Sequence, residues 1–254
     1  MKFTSRITSC LTFAGALLAT SPAHALNYFD LEVYGYDTLK KGERLIENKN
    51  NYTYDGTDAP APENNDDLLR STFEFAYGIT DKIEVAAYLD FSNPRDGGWR
   101  HAADRLRVRT SLFEKGQLPV DVGLYGELEF PYHEDNNAEL ELRGIIEKDL
   151  GKWTLLFNPK FTKVINGVDT GKPWGLEYAA SAIYNLNKTW HPRLDLFGDF
   201  GPINNFSDGD EQVHLISPFV DVELGNGIAL GVGVAFGVTD SSESLIRTKL
   251  EWEF

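Results

Sequence analysis

The chain has 254 residues, with 24 Lys or Arg against 39 Asp or Glu and a net charge of −15, which argues against nucleic acid as a partner. Its one cysteine, Cys10, excludes a disulfide framework. Aromatic residues at 13% and 23 glycines suit strands joined by turns, and no segment shows a convincing helical period.

Met1 to Ala25 opens with Lys2 and Arg6, continues with an apolar run from Cys10 through Leu18, and closes on Ala23-His24-Ala25. These are the parts of a secretory signal peptide. The run is too short to span a bilayer, so residues 1–25 are expected to be removed. The mature chain, 26–254, then has no cysteine and 22 basic against 39 acidic residues, a charge of −17. Nothing later reaches the roughly 18 apolar residues of a transmembrane helix.

Twelve segments alternate in polarity, near 27–37, 67–78, 82–91, 103–113, 119–130, 137–148, 152–163, 174–186, 192–200, 211–224, 227–238 and 244–254. In the third, Ile83, Val85, Ala87, Leu89 and Phe91 oppose Lys82, Glu84, Tyr88 and Asp90. In the fourth, Leu106, Val108, Thr110 and Leu112 oppose Arg105, Arg107 and Arg109. Most segments have about the 9–11 residues that a tilted strand needs to cross a bilayer.

Alternation also fits a soluble sandwich, and the connections decide. Short links (78–81, 114–118, 149–151, 185–191, 225–227) alternate with mostly longer, polar ones (38–66, 92–102, 131–136, 164–173, 201–210). Tight periplasmic turns and long outward loops give this asymmetry. On lipid-facing phase, Tyr77, Trp153, Tyr184, Trp252 and Phe254 fall at the periplasmic ends, and Phe91, Phe130, Phe200 and Phe236 at the outer ends. Two aromatic girdles are expected of such barrels. The fold class is therefore all-β, a single up-and-down antiparallel transmembrane β-barrel of about twelve strands over 26–254. The last segment, ending in Phe254, should close against the first, because lipid leaves no backbone group unpaired.

The stretch Glu74-Phe75-Ala76-Tyr77-Gly78-Ile79-Thr80-Asp81-Lys82-Ile83-Glu84-Val85, a strand, a Tyr-Gly-Ile-Thr-Asp turn and a second strand, resembles the repeated element of the meta-pathway phenol-degradation family. The resemblance implies an outer-membrane barrel that passes small organic molecules, and it supplies no catalytic residues. Phe254 likewise resembles the C-terminal signature by which the barrel-assembly machinery recognises its substrates.

Function should reside on the inward faces, because a barrel of more than about eight strands can leave a lumen. Arg105, Arg107 and Arg109 form a ladder on the fourth segment, with Asp90 on one side and Glu127 and Glu129 on the other. Glu139 and Glu141 follow on the sixth, with Arg143 lower down. This constellation reads either as a paired network bracing the wall or as a constriction that sorts solutes by charge. The small face of the eleventh segment, Ala229, Gly231, Gly233, Ala235 and Gly237, reads either as room for curvature or as a free path for solute.

Catalysis has little support. His101, beside Asp96 and Asp104, and His133, beside Glu134 and Asp135, fall in outer loops, and His191 falls in a turn. His214 and Ser217, three apart in a strand, face opposite sides. The acidic loops 64–67 and 208–211 read as solvated, or as sites for divalent cations that bridge lipopolysaccharide. No cofactor is expected. The expected function is passive passage of small solutes across the outer membrane of a Gram-negative bacterium, among lipid and lipopolysaccharide. An outer-membrane hydrolase and a structural or surface-interaction barrel with a blocked lumen are the alternatives.

Overall fold

The computed structural model describes residues 26–56, 65–132 and 137–254. The expected signal peptide lies outside the described residues, as do His133, Glu134 and Asp135. Twelve antiparallel strands close into one barrel. They are β1 (Arg44–Asp55), β2 (Leu69–Thr80), β3 (Ile83–Asn93), β4 (Arg100–Leu112), β5 (Asp121–Pro131) and β6 (Ala138–Leu150), followed by β7 (Trp153–Asn166), β8 (Gly175–Tyr184), β9 (Trp190–Pro202), β10 (Val213–Gly225), β11 (Ile228–Gly237) and β12 (Ser244–Glu253). Each strand pairs with its neighbours in sequence, and β12 pairs with β1.

Polarity fixes which face looks inward. Val85, Ala87 and Leu89 of β3 are exposed on the outer surface, while Glu84, Tyr88 and Asp90 are buried in the lumen. Leu106 and Val108 of β4 are outside, and Arg105 and Arg107 inside. The short turns gather at one end, which is periplasmic in barrels of this architecture. At that end the Arg44 N–H donates to the Phe254 carbonyl and the Phe254 N–H donates back, both at 2.9 Å. Trp153 packs on Tyr184 (4.9 Å between ring centroids) and Trp252 on Phe254 (4.4 Å), forming part of the expected girdle.

The first strand is not where the alternation placed it. Residues 27–37 form no strand, and the stretch 38–66, expected as an outer loop, contains β1. The outward row of β1 is Ile46, Asn48, Asn50, Tyr52 and Tyr54, which is too polar to signal a lipid-facing strand. Its amides satisfy one another locally: Asn50 Nδ2 donates to Asn48 Oδ1 at 2.8 Å, and Asn48 Nδ2 donates to the Thr72 carbonyl at 3.1 Å.

The alternation of 27–37 is real but has another cause. Residues 26–43 thread the lumen, which has two unlike walls, turning once near the start where the Asp30 N–H donates to the Asn27 carbonyl at 3.0 Å. Leu31 and Val33 join an apolar cluster with Leu156, Phe197, Leu215 and Leu245. Tyr34 packs instead with Tyr125 and Ile145, on the side where the arginines lie. A segment between an apolar wall and a charged one needs period two as much as a strand between lipid and water does.

Candidate functional site

A peptide that crosses a lumen without a strand beside it still has backbone groups to satisfy. Here the wall side chains supply the partners. Asn51 Nδ2 donates to the Tyr28 carbonyl at 2.8 Å, Arg247 to that of Leu31, and Arg143 Nη1 to that of Glu32 at 3.1 Å. Asn158 takes the Tyr34 N–H at 2.7 Å and donates to the Tyr34 carbonyl at 3.0 Å. The N–H groups of Tyr36 and Leu39 reach Glu147 Oε2 (2.7 Å) and Glu84 Oε2 (2.8 Å), and Arg109 Nη2 donates to the Asp37 carbonyl at 2.9 Å. At the periplasmic end the chain passes so close to Gly78 that a Cβ there would fall 2.0 Å from the Lys40 carbonyl oxygen.

All nine residues singled out from the sequence point into the lumen, but they pair differently from a simple ladder. Arg105 meets Asp90 (2.7 Å) and Glu127 (3.3 Å) as expected, and Asp30 of the lumen segment lies 3.7 Å away. Glu129, opposite Arg105 in register, accepts instead from Asn27 Nδ2 at 2.7 Å. Arg107, opposite Glu127 in register, turns to Glu74 (2.8 Å) and Glu84 (2.7 Å), and Arg109 also reaches Glu84 (2.9 Å). Arg143 bridges Glu141 and Asp30 at 2.5 Å each, while Lys160 links Glu141 (3.1 Å) to Glu177 (2.9 Å). Glu139 has no ion-pair partner among the described residues.

The arginines also stack. Arg105 lies over the Tyr88 ring (4.4 Å), Arg143 over Tyr125 (4.5 Å) and over Tyr34 (4.9 Å), and the Tyr34 and Tyr125 rings lie 5.0 Å apart. Planar guanidiniums accept an aromatic face and a carboxylate fork together, which lysine cannot do as well. Arg105 is 0% exposed, so its charge is stabilised by these partners and hardly by water.

Asn158 and Lys160 lie on the inward phase of the seventh segment, so the same alternation that located the arginines could have found them. Asp30 and Tyr34 cannot be found that way, because the alternation places their segment in the wall. Beside the lumen's periplasmic mouth, Lys115 in the β4–β5 turn pairs with Asp37 (2.9 Å) and Glu147 (2.8 Å). Partial burial lowers its pKa, but the two carboxylates outweigh this and hold it above the ordinary lysine value.

The small face of β11 is occupied. A Cβ on Gly231 would fall 2.5 Å, and one on Gly233 2.6 Å, from the Phe219 ring of β10, so the glycines make room for that ring and leave no free path for solute. Open space lies lower. A vestibule of about 490 Å³ at the periplasmic end has carboxylates in excess in its lining, among them Asp37, Glu43, Glu251 and Glu253, against Lys40, Arg107, Arg109 and Lys249. Deeper in the lumen, voids beside Glu129 and beside Lys49 hold about 10 Å³ each, room for roughly one water.

Ser217 touches the lumen network, accepting from Arg247 Nη1 at 2.7 Å, while the histidines stay apart from it. His101 pairs with Asp104 at 2.8 Å and stacks between Phe91 and Tyr132 on the outer surface. His214 and Ser217 do face opposite sides, His214 toward Tyr178 and Ser217 inward to the Val234 carbonyl. Asp67 accepts from Tyr52 at 2.5 Å and pairs with Arg95. No set of three His, Cys, Asp or Glu among the described residues has metal-binding geometry.

No family model and no curated protein matches the chain. Solved structures do. A COG4313 outer membrane channel from Pseudomonas putida F1 superposes with a TM-score of 0.64 at 14% identity, over 88% of this chain and 100% of that one. A KdgM porin gives 0.56 at 10% identity, over 83% and 99%. The KdgM porin in complex with disordered oligogalacturonate gives 0.54, also at 10%. At these identities the likeness establishes the fold, a closed barrel of the kind that these outer-membrane channels and porins have.

Proposed function

We propose that the protein is an outer-membrane channel for small solutes whose lumen is closed by its own segment 26–43. The observation that carries this reading is how the segment is held. From Tyr28 to Leu39 its backbone is held through wall side chains, with backbone pairing to the wall only at the rim beside Gly78, so it can exchange those side-chain bonds for water while the barrel's own ladder stays intact. A typical hydrogen bond contributes about 0.5–1.5 kcal/mol net, which makes such an exchange accessible one contact at a time. The acidic excess of the vestibule favours cationic and neutral solutes over anions. The resemblance to the phenol-degradation family adds small organic molecules to the neutral class.

One observation favours a second reading. Beside Glu129 and beside Lys49 the lumen leaves voids of only about 10 Å³ each, as in a barrel that serves structure or surface contact. Conductance in a planar bilayer separates the two, comparing the whole protein with a variant lacking residues 26–38. A channel gives low, flickering conductance that rises several-fold in the deletion, with cations preferred. If the deletion variant still shifts its gel mobility on boiling, as a folded barrel does, yet conducts no better, the channel reading fails.

A further inference from the structure

The outer half of the lumen is short of positive charge. Among the described residues Glu129 meets only the Asn27 amide, and Glu139 has no ion pair. Glu177 shares Lys160 with Glu141. Asp199, 1% exposed, takes the Gly201 N–H at 2.7 Å on one oxygen, while its Oδ2 has no hydrogen-bond partner among the described residues. Thr162 Oγ1, buried between Glu141 and Gly175 in register, is also unpartnered. A buried carboxylate left this way needs a donor or a cation.

The chain brings one group to the same place. Leu26, 3% exposed, belongs to the apolar cluster that contains Ala179, Phe197 and Val213. Ala179 is two residues from Glu177 on β8, Phe197 is two from Asp199 on β9, and Val213 lies opposite Asp199 in register. The next residue, Asn27, reaches across to Glu129 on β5. Leu26 and Asn27 thus reach the two walls that carry the unneutralised acids.

We propose that cleavage after Ala25 makes Leu26 the first residue of the mature protein, and that its α-ammonium binds Asp199 and Glu139 as their missing cation. Hydrolysis of the Ala25–Leu26 bond, as by an exported-protein signal peptidase, consumes one water. It leaves a carboxylate on Ala25 and, at neutral pH, an ammonium with three N–H donors on Leu26. An amide nitrogen at that position offers one donor and no charge. Processing thereby creates an ion pair that fastens the free end of the lumen segment. This goes beyond the channel reading and holds or falls without it, because it is tested by chemistry at the amine.

The test uses protein purified from outer membranes. N-terminal sequencing should read Leu-Asn-Tyr. An amine-acylating ester at neutral pH should modify the Leu26 amine of the folded barrel at least ~10-fold more slowly than that of the boiled protein, as protection by a closed state requires. Glu139→Gln, at a partly exposed position, and Asp199→Asn should each speed this labelling in protein that still shows the folded gel mobility. Should Asp199→Asn not fold, Glu139→Gln alone decides. A mature chain beginning elsewhere, labelling as fast folded as boiled, or labelling unchanged in the folded variant would overturn the proposal.

Discussion

Asn158 holds Tyr34 as a neighbouring strand would, taking its N–H at 2.7 Å and giving to its carbonyl at 3.0 Å. One side-chain amide therefore does the work of a ladder rung at the middle of the lumen. Asn158→Leu leaves both backbone groups buried and unpaired, at a cost of about 1–3 kcal/mol each. The barrel ladder is untouched, so the variant should retain its folded gel mobility. Single-channel recordings should show more frequent openings than in the parent protein. Unaltered opening frequency would mean that Tyr34 is not a holding point.

Arg107 should affect closure before it affects selectivity. With Glu74 and Glu84 at 2.8 and 2.7 Å, Arg107→Glu would put three carboxylates together and loosen the segment that Arg107 stacks against at Tyr34. Breaking a buried pair from one side costs about 3–5 kcal/mol. In the variant lacking residues 26–38, where the lumen is wet, the same substitution should shift the reversal potential toward cations. A folded variant without that shift would reduce Arg107 to a brace.

Gly231 should resist any side chain. Its Cβ would fall 2.5 Å from the Phe219 ring, and Asp221 Oδ1 lies 2.9 Å away. Gly231→Leu should lower stability by about 1–3 kcal/mol, the range for overpacking, as read from urea unfolding in detergent. Pairing it with Phe219→Ala should restore part of the loss, whereas independent effects would simply add.

Lys115 gives the closure a pH dependence. Its folded pKa lies above the unfolded value of about 10.4, so its contribution is fully present below that pH and is lost as pH rises through the folded pKa. Openings should therefore stay rare at neutral and mildly alkaline pH and increase only above the unfolded lysine value. Lys115→Met should show at neutral pH the opening frequency that the parent reaches only in strong alkali. Identical profiles in the two proteins would remove Lys115 from the closing contacts.

Most of the wall was legible in the sequence because hydrocarbon enforces it. A one-residue slip of β4 would put Arg105, Arg107 and Arg109 into lipid at roughly 2–4 kcal/mol each near the midplane, so alternation there carries the register outright. β1 escaped because Asn48 and Asn50 satisfy themselves on the outer face and leave no apolar row to detect. Residues 27–37 misled for the converse reason, since period two reports two unlike sides without saying which. The direction of each arginine was readable, but its partner was not. Arg107 passes over Glu127, its register neighbour, for Glu84 on β3 and Glu74 on β2, because long side chains reach beyond their register neighbours, where no local pattern reads the choice.

The backbone bridge between Gly42 and Gly78, with the Gly42 N–H on the Gly78 carbonyl at 2.9 Å, ties the segment to the wall at the periplasmic rim. The segment is thereby a tongue rooted on the inner side, with its tip lodged near the outer loops. Withdrawal must be a retraction toward the periplasm, tip last, because the root cannot rise through a lumen already filled by its own stem. Traction from the inner side would peel the contacts in sequence from Leu39 back to Asn27, each breaking before the next is loaded. Pressure from outside would meet them all at once. On the channel reading, the closure would be mechanically one-sided, weak to a pull from within and strong against a push from without.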